Sequence, residues 1–140
     1  MSALQILLVE DNPGDVRLSS EAFKESNLPH CLHVVKDGIE AMGFVRHTTA
    51  YSQAPRPDII ILDLDLPRKN GLEVLQEIRS DQELKDIPIV ILTSSANDLD
   101  VLIAYRKQAN AYLVKPSDLS QYDEVINAVV ALCQKPYQSL

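Results

Sequence analysis

Short apolar runs alternate along the chain with stretches in which apolar side chains recur every three to four residues, and five such pairs follow one another. The runs are Leu4 to Val9, Cys31 to Val35, Asp58 to Leu62, Ile87 to Leu92 and Ala111 to Val114. All but the second are nearly continuous in apolar side chains, as strands of a parallel sheet buried on both faces require. In the first intervening stretch, Val16, Leu18, Ala22 and Phe23 share one side of a helical wheel while Arg17, Glu21 and Lys24 occupy the other. Gly38 to Arg46 reads as most of a second helix and Gly71 to Arg79 as a third, with Leu72, Val74, Leu75 and Ile78 as its apolar members. Asn97 to Gln108 reads as the fourth. In the last, Tyr122, Val125, Ile126, Val129, Val130 and Cys133 keep helical spacing after Asp118, which can cap a helix, and Pro136 stops it.

The fourth helix differs from the others. Leu99, Val101, Leu102, Ile103 and Tyr105 surround most of its circumference, more than one sheet can bury, so they are either scattered surface residues or a partner surface. Thr48 to Pro57 is a surface excursion without an assigned role, and Lys135 to Leu140 reads as a frayed tail after one domain spanning 1–134.

Composition narrows the function classes. The 140 residues, 15.6 kDa, suffice for one domain, and 46% apolar with 24% charged residues is a globular balance. Thirteen Lys and Arg against twenty Asp and Glu give a net charge of -7, which opposes binding to nucleic acid or to an anionic membrane. Cys31 and Cys133 are far apart and form neither a zinc motif nor a disulfide framework, so reduced thiols in a cytoplasmic protein are expected. No apolar run approaches the length of a membrane span, and the N-terminus lacks the pattern of a secretory signal.

In an open parallel sheet the ligand crevice lies beyond the carboxyl ends of the strands, where strand order reverses. Those ends are all polar here: Glu10 and Asp11, then Asp63, then Thr93 and Ser94, then Lys115 and Pro116. Glu10-Asp11 alone reads equally well as an acidic pair at a helix N-terminus, since Asn12-Pro13-Gly14-Asp15 opens the next helix. If strands one and three are neighbours, as the order 2-1-3-4-5 makes them, Asp63 joins that pair. Each like-charge contact at about 4 Å then costs roughly 4 kcal/mol at an effective dielectric of about 20. A hard divalent cation offsets this best, and Mg²⁺ suits carboxylates that leave room for water and a phosphate oxygen. Asp63 is the candidate nucleophile toward phosphorus, Thr93 a hydroxyl donor to the phosphoryl group and Lys115 a positive charge on the same oxygens. Pro116 is a candidate for a cis bond that turns the lysine inward. His30 and His33, three apart on a strand, point to opposite faces and cannot share a metal.

Over nearly its whole length the chain resembles the receiver domain of two-component response regulators. The resemblance lies in Val9-Glu10-Asp11, Asp63-Leu64-Asp65-Leu66-Pro67 with Asn70-Gly71, Leu92-Thr93-Ser94 and Tyr112-Leu113-Val114-Lys115-Pro116. It implies a flavodoxin-like, doubly wound α/β fold, with Asp63 as phosphoacceptor and Mg²⁺ held by Glu10, Asp11, Asp63 and the backbone carbonyl of Asp65. Thr93 and Tyr112 become the switch pair, Lys115 the phosphate-binding lysine, and Pro116 a cis-proline. The implied protein is a cytoplasmic signalling phosphoacceptor that catalyses only its own phosphorylation and dephosphorylation. It takes its phosphoryl group from a sensor histidine kinase and passes the signal to a downstream protein or phosphotransfer partner.

Three departures qualify the transfer. Glu10 replaces the more usual Asp, Asp65 stands where many receivers carry Asn, and Ser117 takes the place of an aromatic. The resemblance implies a homodimer packed over the fourth helix, fifth strand and fifth helix, and the last departure removes an aromatic from that surface. Within the family the chain is most similar to small stand-alone regulators of bacterial phytochrome-type kinases, on Asp11-Asn12-Pro13-Gly14-Asp15-Val16-Arg17-Leu18, the proline-rich loop before strand three and Ile87-Pro88-Ile89-Val90-Ile91-Leu92. Asp63-Leu64-Asp65 also resembles the Asp-x-Asp of haloacid dehalogenase phosphatases, where the motif closes the first strand rather than the third.

Overall fold

The computed structural model describes residues 3–94 and 98–133. Its five strands are β1 (Leu4–Val9), β2 (His30–Val35), β3 (Ile59–Leu62), β4 (Ile89–Thr93) and β5 (Ala111–Val114), all parallel and ordered β2-β1-β3-β4-β5. The helices are α1 (Pro13–Glu25), α2 (Gly38–Arg46), α3 (Gly71–Ser80), α4 (Asp98–Arg106) and α5 (Asp123–Cys133). This is the flavodoxin-like order expected from the alternation of apolar runs and amphipathic stretches.

Strand parity separates the core into two halves. Ile6, Leu8, Ile59, Ile61, Val90 and Leu92 pack with Phe23 of α1 and Val125 and Val129 of α5. Leu7, Val9, Ile60, Leu62, Ile89 and Ile91 face the other way, onto Phe44 of α2, Leu75 and Ile78 of α3 and Ala104 of α4. The two strand histidines obey the same rule, the His30 ring lying 5.6 Å from Phe23 and the His33 ring 5.4 Å from Phe44.

Several local signals set element ends. Asn12 caps α1 by accepting from the Asp15 amide at 3.0 Å, and Pro13 opens the helix where no amide is needed. Asn70 and Glu73 form a reciprocal capping box on α3. The segment Thr48 to Pro57 holds a short 3₁₀ turn, Thr49–Tyr51, and the Tyr51 ring packs on Phe44 while its hydroxyl donates to Glu40.

Some boundaries differ from the sequence reading. β4 starts at Ile89 because the Ile87 amide closes a turn onto Leu84 and Pro88 has no amide to give. α4 ends at Arg106, two residues short of Gln108, which takes the left-handed conformation at φ 70°. Asp118 does not cap α5: it precedes a 3₁₀ turn, Leu119–Gln121, and its carboxylate accepts from the Ser120 hydroxyl instead of a helix amide. Asn97, Pro136 and the tail 135–140 lie outside the described residues.

Register places the functional end. Val9 pairs with Leu62, so the residues that follow, Glu10 and Asp63, emerge side by side, and the Asp63 amide donates to the Val9 carbonyl at 3.1 Å. Thr93 pairs with Val114, and the Lys115 amide donates to the Thr93 carbonyl at 2.9 Å. At the opposite end, Arg79 ties two loops together by donating to the carbonyls of Lys85 and Ile87 before β4 and to the Gln108 carbonyl and the Asn110 side chain before β5.

Candidate functional site

Four loops meet at the carboxyl ends of β1, β3, β4 and β5. Glu10 and Asp63 are buried there, Asp11 is exposed beside them, and one carboxylate oxygen from each lies within 4.8 Å of the others. The convergence expected of the three acids is therefore present. It is fixed by backbone: β1 and β3 are neighbours, and the Asp63 carboxylate accepts from the Asp65 amide at 3.1 Å. Asp65 itself is exposed.

Lys115 crosses the crevice into this cluster. Its Nζ lies 2.9 Å from Glu10 Oε1, 2.8 Å from Asp63 Oδ2 and 2.8 Å from Asp15 Oδ2, one carboxylate for each ammonium hydrogen. It does so across a trans bond. No peptide bond among the described residues is cis, Lys115–Pro116 included, so the expected cis-proline is not found. The lysine stem has enough reach, and the trans isomer is the ordinary one.

Three carboxylates thus share one ammonium, with Asp11 close by. Burial pushes the Glu10 carboxyl up to about 7; the hydrogen bond from Lys115 opposes this and the charge of Asp63 adds to it. Burial by itself would lower the Lys115 ammonium, but its hydrogen bonds to Asp15, Asp63 and Glu10 outweigh that and hold it above the ordinary lysine value. The negative charge left over is borne by hard oxygen donors. Such a donor set, two members buried and one open to solvent, fits Mg²⁺ or Mn²⁺.

The remaining site residues lie beside this cluster. Thr93 is fully buried at the end of β4, and its Oγ1 has no hydrogen-bond partner among the described residues. Tyr112 pairs with Ile91, the residue two before Thr93, so both side chains lie on the α2–α4 face of the sheet, where Tyr112 packs half-buried against the core. Gly71 opens α3 against the loop after β3. A Cβ there would lie 2.3 Å from the Asp63 carbonyl oxygen, so only glycine permits this approach.

Two features escaped the sequence reading. Asp15 is the third partner of Lys115, although the chain offers only an acid in the first turn of α1, which any helix start favours. One turn further on, the buried Ser19 hydroxyl is hydrogen-bonded to the Tyr122 hydroxyl, tying α1 to the segment after β5. On α4, Leu99, Leu102 and Tyr105 are 62, 52 and 50% exposed, with Val114 of β5 at 51%. Val101 and Ile103 are half-buried, so the apolar girdle divides between core and surface.

Residues 6–127 match the family described as the response regulator receiver domain. Response regulator Rcp1 of Synechocystis sp. is 43% identical over 124 residues, which cover 89% of this chain and 84% of Rcp1. Among solved structures, the phosphorylated cyanobacterial phytochrome response regulator RcpA superposes with a TM-score of 0.85 at 44% identity over 91% of each chain. The Mn²⁺-bound form of Rcp1 gives 0.79 at 41% identity, covering 93% of this chain and 89% of that one.

Proposed function

The chain belongs to the response regulator receiver domain family, and from that premise we propose that Asp63 accepts a phosphoryl group from a phosphohistidine of a sensor histidine kinase. Receivers are signalling phosphoacceptors rather than turnover enzymes. No described helix is long and apolar enough to cross a membrane. We place the protein in the cytoplasm, where such a kinase presents its phosphohistidine.

One observation supports this reading above the rest: the Asp63 carboxylate lies in a cluster of acids with a lysine ammonium 2.8 Å away. Glu10, Asp11 and Asp63, with the backbone carbonyl of Asp65, would hold Mg²⁺, which when bound neutralises charge on the phosphoryl oxygens. An Asp63 oxygen forms the new bond to phosphorus as the bond to the histidine nitrogen breaks, and the electron pair leaves with the imidazole. Lys115 supplies positive charge to the transferring oxygens. The Thr93 hydroxyl, which has no partner among the described residues, then gains an acceptor, and Tyr112, on the same face of the sheet, follows it. Hydrolysis of the acyl phosphate, with Asp65 beside it, resets the domain.

The exposed apolar residues of α4 and Val114 would meet the downstream protein, phosphotransfer partner or second copy that reads this change. The relatives named for phytochromes support a phytochrome-type kinase, and hence light, as the input.

Incubation with a small phosphodonor and Mg²⁺ tests the chemistry. The expected result is the mass gain of one phosphoryl group, lost in Asp63→Ala. An unchanged wild-type mass with abundant donor refutes it. Phosphotransfer profiling against phytochrome-type and other histidine kinases tests the input, and faster transfer from the others would reject the light-sensing assignment.

A further inference from the structure

The family reading gives Lys115 a role toward the phosphoryl group but leaves Asp15 without one. Lys115 holds Glu10 and Asp63, two of the three acids that would take the cation, so the ammonium competes with the metal for both. Asp15 is different from these two. It stands outside the cluster of mutually close carboxylates, and its side chain is 33% exposed against 3% for Glu10 and 4% for Asp63. Its backbone is held independently of the ammonium. Asn12 Oδ1 holds the Asp15 amide at 3.0 Å, and the Ser19–Tyr122 hydrogen bond fixes α1 against the segment after β5 from which Lys115 extends.

We infer that Asp15 is a positioning residue: it is the counter-ion that keeps Lys115 at the mouth of the site when Glu10 and Asp63 are given up to a divalent cation. This rests on the reading of the acidic cluster as the Mg²⁺ site. Without Asp15, the ion-pair partners left to the ammonium among the described residues are Glu10 and Asp63, so it stays on them and competes with the metal for them. With Asp15, one of its three ion pairs survives metal binding, and the lysine remains aimed at the place where phosphoryl oxygens arrive.

The test is a double-mutant cycle on the full chain, read as Mg²⁺ affinity by calorimetry and as Mn²⁺ affinity by electron paramagnetic resonance, with no phosphodonor present. Asp15→Asn keeps the capped amide and should weaken cation binding about five- to tenfold when Lys115 is present. In a Lys115→Met background the same change should cost less than about twofold, the residue of a more distant charge. Lys115→Gln repeats the cycle should the methionine variant not fold. Asp15→Glu should restore most of the affinity, which a purely structural role at the helix start would not require. Equal losses in both backgrounds would overturn the inference, since Asp15 would then act only as a negative charge. A wild-type chain that binds neither cation would instead overturn the site reading beneath it.

Discussion

Thr93→Val isolates one hydroxyl. Thr93 is fully buried and its Oγ1 has no partner among the described residues, so the folded protein bears the desolvation of that group without a compensating hydrogen bond. Such a group costs about 1–3 kcal/mol, and a methyl of similar size removes the cost while adding apolar contact. The unphosphorylated variant should gain about 1 kcal/mol, a rise in Tm of roughly 2–5 °C for a domain of this size. In the proposed phosphorylated state the sign reverses. There the hydroxyl donates to a charged oxygen, a bond contributing about 1.5–3 kcal/mol that valine cannot make. Urea denaturation with and without a non-hydrolysable phosphoryl analogue measures both. A variant destabilised by more than about 1 kcal/mol without the analogue would mean that the hydroxyl has a partner, and the reasoning would fail.

Gly71→Ala should push the Asp63 loop, because the added Cβ meets the Asp63 carbonyl oxygen at 2.3 Å and Leu64 Cα at 2.8 Å; the expected losses are about 1–3 kcal/mol of stability and about a hundredfold in phosphorylation rate. Gly14→Ala, which meets only the Asn12 side chain at 3.2 Å, should change either far less. Because burial raises the Glu10 carboxyl to about 7, the fold binds a proton that the unfolded chain gives up near 4.5. Thermal denaturation of the metal-free protein should therefore show this contribution fully present below about 4.5 and lost as pH rises through about 7. Cation affinity should run the other way, falling by up to about tenfold per pH unit below about 7, and a flat titration would contradict the assignment of Glu10 as a ligand. Lys115→Ala leaves two buried carboxylates facing each other; a loss of about 3–5 kcal/mol is expected without metal, smaller at low pH and partly recovered by Mg²⁺, as chemical denaturation will show.

The amino-acid order by itself determined the alternation of strands and helices, because buried parallel strands need unbroken apolar runs and helices lying on them need a stripe of period 3.6. It also put the chemistry in view: acids after the first and third runs, a threonine after the fourth and a lysine after the fifth fall at one end of any right-handed parallel sheet. Local information failed where the outcome depended on partners distant in the chain. Asp15 looks like an ordinary acid at a helix start until Lys115, a hundred residues later, is brought against it by strand order and register. Ser19 and Tyr122 are unremarkable in their own helical stretches until α1 and α5 share a face of the sheet. The 3₁₀ turn that displaces Asp118 from the start of α5 and the burial of the Thr93 hydroxyl without a partner among the described residues were likewise decided by packing. Periodicity is a property of neighbours in sequence, whereas the pairing of charges and hydroxyls is set by which surfaces the closed core forces together.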